Sequence, residues 1–204
     1  MQVKKAIFLD KDGTLIPNIP YNVDPDKIHL ESGVVEGLKL LVQQGFDLYV
    51  VTNQSGIAKG YFSEDDIFVV RDALKQLFEI NGLPPFKAFY FCPHHPNGIV
   101  SRLACTCNCR KPMPGLLQMA AFDHQLSLTH SWMIGDILND IEAGNRAGCK
   151  SVLINNGNET LWESGPYRTP YSIASDFLNA AESIVSHLTN EQHGYGNIGY
   201  STAI

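Results

Sequence analysis

The hydrophobic residues of this chain fall into short continuous runs, separated by longer stretches in which apolar positions recur at helical spacing. Short apolar runs bounded by charged or turn residues are typical of strands buried on both faces. We therefore predict strands over 6–9, 46–51, 87–91, 131–134 and 150–154. The intervening patterns predict helices over 34–42, 63–78 and 114–121, a short helix ending at 147, and a closing helix over 176–188. This alternation predicts an α/β fold with a doubly wound parallel sheet covered by helices on both faces.

Polar side chains follow several of the predicted strands. Asp10 and Asp12 follow the first strand, Thr52 follows the second and Asp136 follows the fourth. Ligands of such sheets bind outside the carboxyl ends of the strands, at the point where the strand order reverses. Asp10 and Asp12 are two positions apart, so an extended backbone points both carboxylates the same way. Carboxylate oxygens suit Mg²⁺, and a carboxylate held there can act as a nucleophile. Taken alone, the first stretch fits a polar turn equally well.

Thiols and imidazoles are concentrated between positions 92 and 109. The candidates for soft metal ligands in this stretch are Cys92, His94, His95, Cys105, Cys107 and Cys109. A structural zinc site takes four such ligands, so the residues alone favour zinc over reduced free thiols but leave the choice of ligands open. A redox role is weaker because the chain has no C-x-x-C. Arg110 and Lys111 come directly after the last cysteine, so bound zinc would also fix their backbone.

Composition narrows the class of protein. At 204 residues the chain is long enough for one domain with a proper core. Its net charge of −6 argues against a nucleic-acid partner. No apolar run approaches the roughly 20 residues of a membrane span, and we expect neither a membrane partner nor a signal peptide. We expect a cytoplasmic monomer with one domain over 1–188 and a mobile tail over 189–204.

The stretch DKDGT resembles the DxDGT signature of the haloacid dehalogenase superfamily, whose members are mostly Mg²⁺-dependent phosphatases. The resemblance implies that Asp10 attacks phosphorus and that Asp12 shuttles a proton. It implies that Thr52 binds the transferring phosphoryl group and that Lys111 is the lysine of the third motif. GDILND resembles the fourth motif, which makes Asp136 the third carboxylate for Mg²⁺ beside Asp10 and Asp12.

A closer resemblance covers residues 6 to about 155. The stretches FLDKDGT, VTNQSGIAKG, CPHHPNG and CNCRKP are similar to those of the D-glycero-D-manno-heptose-1,7-bisphosphate phosphatase family. The resemblance implies a small sugar bisphosphate substrate that loses its C7 phosphate on the route to nucleotide-activated heptose of bacterial surface polysaccharides. It implies a structural zinc with the ligands Cys92, His94, Cys107 and Cys109. Cys105 departs from this pattern, because Cys105 with Cys107 offers a second possible register.

The same resemblance implies substrate contacts in three segments. They are Asn18, Ile19, Pro20 and Tyr21, then Thr52, Asn53, Gln54 and Ser55, and finally Arg110 and Lys111. The segment between Asp12 and Thr52 has room for one loop, one helix and one strand, so we expect no cap domain. The zinc loop, 92–109, and the 18–21 loop should therefore shape a small, polar and accessible cleft.

Three further hypotheses remain at this point. The histidinol-phosphate phosphatase family shares the superfamily motifs and the zinc loop. A zinc-stabilised interaction module without catalysis would tolerate loss of Asp10. A dehalogenase would need neither Asp12 nor the metal. Asp140 also has two candidate roles, as a partner of Lys111 or as the cap of the following helix.

Overall fold

The structure, a computed structural model, describes residues 3–194. Its six-stranded sheet consists of β1 (Ala6–Leu9), β2 (Asp47–Asn53), β3 (Ala88–Cys92), β4 (Trp132–Gly135), β5 (Lys150–Ile154) and β6 (Ser172–Ala174). The strand order is β3-β2-β1-β4-β5-β6, and every neighbouring pair is parallel. The predicted doubly wound parallel sheet is therefore confirmed. From β1 the chain adds β2 and β3 on one side, and it then returns to add β4, β5 and β6 on the other side. The strand order therefore reverses between β1 and β4, and ligands of such sheets bind at the carboxyl ends of these two strands.

Helices cover both faces of this sheet. They are α1 (Val34–Gln43), α2 (Glu64–Ile80), α3 (Gly115–His124), α4 (Leu138–Ala147) and α5 (Phe177–Gly194). Successive strand residues point to opposite faces, and β1 shows this directly. Ile7 and Leu9 pack in a core with residues of α1, α2 and α5. Ala6 and Phe8 pack in a second core with residues of α3 and α4.

The predicted helix start at Ser63 is confirmed by a reciprocal cap. Asp66 Oδ2 accepts a hydrogen bond from the backbone N–H of Ser63 at 2.7 Å, and Ser63 Oγ accepts one from the N–H of Asp66 at 3.3 Å. Two backbone donors at the start of α2 are thereby satisfied, while the acids complement the helix dipole.

The structure differs from the predicted elements in three places. Strand β2 continues to Asn53, so Thr52 and Asn53 belong to the sheet rather than to the following loop. Strand β6 was not predicted, because Ser172–Ala174 is too short to show a period. Helix α5 extends to Gly194 instead of ending at 188, and residues 195–204 of the predicted mobile tail lie outside the described residues. No helix within 3–194 has the length and apolar character needed to cross a membrane.

Candidate active site and candidate zinc centre

Three acids meet at the edge where β1 and β4 end. Asp10 follows β1, and its backbone N–H donates to the carbonyl of Ile134 in β4 at 3.0 Å. Each of Asp10, Asp136 and Asp140 offers a carboxylate oxygen, and these oxygens lie within 4.8 Å of one another. The strand order thus brings Asp10 and Asp136 together as expected, and the first turn of α4 adds Asp140.

Lys111 places an ammonium among these acids. Its side chain is 2% exposed and pairs with Asp10 and with Asp140, the latter at 2.6 Å between Nζ and Oδ1. The ammonium also donates to the carbonyl of Val51 in β2 at 3.0 Å. Burial alone lowers the pKa of Lys111, but Asp10 and Asp140 more than offset this and raise it, so the ammonium stays charged. Asp140 also accepts from the N–H of Ile137 at 3.3 Å, so it fills both of its candidate roles.

The charges of this cluster do not balance. Three buried carboxylates face one ammonium, and burial followed by the Asp140 charge raises the pKa of Asp136 to about 7. Burial also raises the pKa of Asp10 well above its usual range, although Lys111 opposes that shift. A buried excess of negative charge among oxygen ligands fits a small divalent cation such as Mg²⁺, which prefers carboxylates and water.

Residues that sequence reasoning missed hold Asp136 in place. Asn158 Nδ2 donates to Asp136 Oδ2 at 2.8 Å, and Thr14 Oγ1 lies 3.4 Å from Asp136 Oδ1. Gly13 has a φ of +87°, and a Cβ there would lie 2.0 Å from Asp136 Oδ2. Only glycine therefore fits at the turn of DKDGT. The loop after β5 follows the carboxyl end of a predicted strand, so its place at this edge could be expected. Its sequence does not show which amide reaches Asp136.

Asp12 belongs to a different set of contacts. Its carboxylate accepts from Gln54 Nε2 at 3.1 Å and pairs with Lys11. Gln54 Nε2 also lies 2.9 Å from Thr52 Oγ1, so one amide connects two of the expected catalytic residues. The Asp12 carboxylate is not in the acid cluster of the described chain. Its expected roles as a magnesium ligand and as a proton shuttle stay predictions.

A cavity of roughly 270 Å³ opens in front of these groups. The cavity is lined by the three acids of the cluster, by Asp12 and Lys111, by the 18–22 and 52–56 segments, and by Phe62 and Ile137. Every expected substrate-contact residue except Arg110 is among these lining residues within 3–194. Arg110 instead directs its guanidinium to the carbonyl of His94 at 3.4 Å. Asn22, Gly56, Phe62 and Ile137 are lining residues that sequence reasoning missed.

The 18–22 segment is held at the cavity rim by aromatic and polar contacts. Lys59 Nζ donates to the Tyr21 hydroxyl at 2.7 Å, and the rings of Tyr21 and Tyr61 meet edge to face at 4.8 Å. Tyr21 has a φ of +57°, a left-handed conformation that is uncommon for a residue with a side chain. Tyr21 is exposed, and these contacts hold it among the residues that line the cavity.

The predicted zinc ligands form a compact second group. The Cys92, Cys107 and Cys109 sulfurs lie 3.0–3.5 Å apart, and His94 Nδ1 is 3.3 Å from Cys109 Sγ. Ligands about 2.3 Å from a tetrahedral zinc would lie about 3.8 Å from one another, so this group approximates the corners of a closed site. Burial, and then Cys109, raises the pKa of Cys92, so its thiolate needs a nearby cation. Cys105 is exposed and lies outside this group.

Known proteins resemble this chain in sequence. A family model described as "HAD-hyrolase-like" matches residues 108–180. The D-glycero-beta-D-manno-heptose-1,7-bisphosphate 7-phosphatase of Yersinia pestis is 37% identical over 159 residues, which are 78% of this chain and 84% of that protein. The D-glycero-alpha-D-manno-heptose-1,7-bisphosphate 7-phosphatase of Photorhabdus laumondii subsp. laumondii is 34% identical over 157 residues, which are 76% of this chain and 85% of that protein.

A solved structure resembles the fold as a whole. The D,D-heptose 1,7-bisphosphate phosphatase from B. bronchiseptica, crystallised with magnesium and phosphate, superposes with a TM-score of 0.76. It is 29% identical, and the alignment covers 90% of this chain and 99% of that chain. Magnesium and phosphate are thus ligands of a relative whose fold is similar and whose sequence is 29% identical.

Proposed function

The chain belongs to the heptose-1,7-bisphosphate 7-phosphatase family of haloacid dehalogenase-like hydrolases, and on that premise we propose that it hydrolyses the C7 phosphate of D-glycero-D-manno-heptose 1,7-bisphosphate. The product would be the 1-phosphate, an intermediate on the route to nucleotide-activated heptose. The observation that carries the proposal is the convergence of Asp10, Asp136 and Lys111 on one polar cavity. A nucleophile, a cation and the acids for a metal then surround a single point at which phosphorus can sit.

The groups of this chain divide the reaction into two displacements. The Asp10 carboxylate attacks phosphorus in line, the bond from phosphorus to the C7 oxygen breaks, and an aspartyl-phosphate forms. Asp12 gives its proton to the leaving alkoxide. Asp12 then takes a proton from a water, whose oxygen attacks phosphorus and releases inorganic phosphate and free Asp10. Gln54 links Asp12 to Thr52, so the proton donor and the phosphoryl-binding hydroxyl are held in one arrangement.

Positive charge is needed because a phosphate dianion and a carboxylate nucleophile repel each other. Lys111 provides one fixed charge, already in contact with Asp10. Mg²⁺ held by Asp10 and Asp136, with Asp12 as the expected third ligand, would supply the remaining charge when bound. Cys92, His94, Cys107 and Cys109 would hold a structural zinc, which fixes the segment that carries Arg110 and Lys111.

The finer features of the proposal come from sequence reasoning. Arg110 would bind the distal phosphate, since Lys111 is already committed to the reacting centre. The chain would act as a capless domain over 1–188, as a cytoplasmic monomer that needs neither a membrane nor a nucleic acid. Sedimentation of the purified chain in the concentration range of the assay tests the monomer.

A phosphate-release screen tests the function. It compares heptose bisphosphate as both anomers, hexose bisphosphates, sugar monophosphates and histidinol phosphate, because relatives are named for the beta and for the alpha anomer. We expect the highest kcat/KM on a heptose 1,7-bisphosphate, with ³¹P NMR showing that the anomeric phosphate remains. A higher kcat/KM on histidinol phosphate, or release of the anomeric phosphate first, would refute the assignment.

A further inference from the structure

Asn53 lines the cavity, but its carboxamide is occupied by another part of the protein. Asn53 Oδ1 accepts a hydrogen bond from the backbone N–H of Lys111 at 3.0 Å. Asn53 Nδ2 donates to the backbone carbonyl of Lys111 at 3.1 Å. A carboxamide has one acceptor oxygen and a donor NH₂, so it can pair with one residue's peptide groups in the way a neighbouring strand does. The resemblance to the bisphosphate phosphatases implied a substrate contact for Asn53, whereas these bonds hold Lys111.

These two hydrogen bonds connect Lys111 to the same strand end that contacts the candidate zinc centre. Asn53 of β2 is in register with Cys92 of β3, and the next residue, Gln54, donates its N–H to the carbonyl of Cys92 at 2.8 Å. Cys92 and Cys109 are paired zinc-ligand candidates with their sulfurs 3.0 Å apart. Cys109 precedes Lys111 by two residues. The Lys111 backbone is therefore fixed from two directions, through Cys109 along the chain and through Asn53 across the sheet edge.

The position of the Lys111 backbone determines where its ammonium lies. The side chain is buried and its Nζ contacts Asp10, Asp140 and the Val51 carbonyl. A lysine stem has many rotamers, and ordering it costs conformational entropy, so a mobile backbone would further widen the range of positions open to the ammonium. A backbone shift of about 1 Å would move the ammonium away from the Asp10 oxygen, and misplacements of that size can cost about 100-fold in rate.

We propose that Asn53 is a positioning residue that acts through Lys111 and does not bind the substrate. The inference deepens the proposed function, because it rests on the role of Lys111 in neutralising the reacting phosphate. It predicts a loss of kcat with little change in KM when the carboxamide is removed. It also predicts that Asn53 has no effect once the Lys111 ammonium is gone.

A double-mutant cycle tests this prediction with Asn53→Ala, Lys111→Ala and the combined variant. Asn53→Ala should lower kcat about 10-fold to 100-fold, by analogy with the range seen when the partners that orient metal ligands are removed. Lys111→Ala should lower kcat further, and the combined variant should match Lys111→Ala. Ser55→Ala, at a cavity position with an expected substrate contact, is the comparison. Its effect should add to that of Lys111→Ala in full.

The outcomes separate the inference from the proposed function. Additive effects of Asn53→Ala and Lys111→Ala would show that Asn53 acts independently of Lys111, and a raised KM with unchanged kcat would indicate a substrate contact. Either result would overturn the inference. A wild-type chain that fails on heptose bisphosphate refutes the proposed function instead. Full activity in Lys111→Ala would overturn the role of Lys111 and the inference with it.

Folding and zinc content supply readouts that do not depend on turnover. Asn53→Ala should unfold at a temperature close to that of the wild type and should keep its zinc, because the four ligands are untouched. Asn53→Asp is the second variant and carries the test if Asn53→Ala does not fold. It keeps the size and the acceptor for the Lys111 N–H, but it turns a carboxylate oxygen toward the Lys111 carbonyl. Wild-type kcat in Asn53→Asp would overturn the inference.

Discussion

The acid cluster and the thiol cluster of this chain are assembled in opposite ways. The acids come from two distant segments, and Asp10 meets Asp136 and Asp140 because β1 and β4 are neighbours. Lys111 reaches them from a third segment, which is held against β2. The four thiol-cluster residues come from two short segments, 92–94 and 107–109, at the end of one strand and in one loop. The first site therefore requires the fold, whereas the second can organise a loop that has little core of its own.

The two clusters also differ in burial and in charge. The acid cluster is fully buried and has an excess of carboxylates, and the raised pKa values of Asp10 and Asp136 mean that the fold works against the charges of these two groups. Such a site is preorganised for catalysis at a cost in stability. The thiol cluster is mostly half-buried, and on the proposed zinc site its residues would gain stability from the metal once it is bound. Damage to the acid cluster should remove activity and spare the fold, and damage to the thiol cluster should release the loop and impair activity through it.

The largest effect should come from Asp10→Asn. An amide cannot attack phosphorus, so we expect kcat to fall about 1,000-fold or more. The unfolding temperature should stay level or rise, because the substitution removes a buried carboxylate with a raised pKa. Zinc content should be unchanged. Kinetics, metal analysis and thermal unfolding of the same preparation check all three. Appreciable turnover in a preparation free of contaminating phosphatase would refute the nucleophile.

The thiol cluster should show the reverse pattern when Cys109 is changed. Cys109→Ser removes a ligand two residues before Lys111, so we expect loss of zinc, a lower unfolding temperature and a fall in kcat of about 10-fold to 100-fold. Cys105→Ser is the matched control in the same loop, and it should keep about one zinc per chain and wild-type activity. Loss of zinc from Cys105→Ser but not from Cys109→Ser would show that the other register holds the metal.

A smaller and more selective effect is expected at Arg110, which lies between the two clusters. If its guanidinium binds the distal phosphate, Arg110→Ala should lower kcat/KM on the bisphosphate about 10-fold or more, while a small monophosphate ester is hardly affected. The guanidinium now contacts the His94 carbonyl, so it must swing toward the substrate. Equal losses on both substrates would contradict a distal-phosphate role. Equal losses would indicate instead that Arg110 stabilises the zinc loop through its contact with the His94 carbonyl.

The elements that carry both clusters could be predicted from the sequence, because strands and closely spaced thiols leave local patterns. The runs that became β1 to β5 were visible as apolar segments, and strand ends in a parallel sheet meet at one edge. The four residues of the thiol cluster were expected from the resemblance and do lie together, with Cys105 outside the group, while the choice of zinc ligands stays a prediction. In contrast, β6 forms only because β5 offers it an edge, and a three-residue strand has no detectable period.

Side-chain direction is the part that the sequence did not predict. Asn53 and Asn158 are both amides in loops or at strand ends, and nothing in their neighbours shows that one pairs with the Lys111 backbone and the other with Asp136. The same holds for Asp12, whose carboxylate contacts Gln54 rather than the other acids. Such choices depend on which backbone groups the finished fold leaves free, and those groups are set by segments far away in the chain.

The last and smallest effect follows from the raised pKa of Asp136, about 7 in the fold against 3.8 for a free aspartate. A carboxyl whose folded pKa is raised holds its proton longer in the fold than in the unfolded chain. The metal-free protein should therefore lose stability as pH rises from about 4 to 7, and this loss should level off above 7. Mg²⁺ needs the carboxylate, so its stabilising effect should grow over the same window.

Two other groups also titrate and affect this measurement. The pKa of Asp10 is shifted in the same direction as that of Asp136, whereas the lowered pKa of His95 has the opposite effect on stability. Comparison with Asp136→Asn cancels the His95 contribution, whereas the part of the Asp10 shift that the Asp136 charge causes remains in the difference and has the same sign. We expect the unfolding temperature of the wild type to fall by a few degrees relative to Asp136→Asn between pH 5 and 8 without Mg²⁺. With Mg²⁺ the wild type alone should recover, and parallel pH curves for the two proteins would show that Asp136 is an ordinary exposed acid with no part in a metal site.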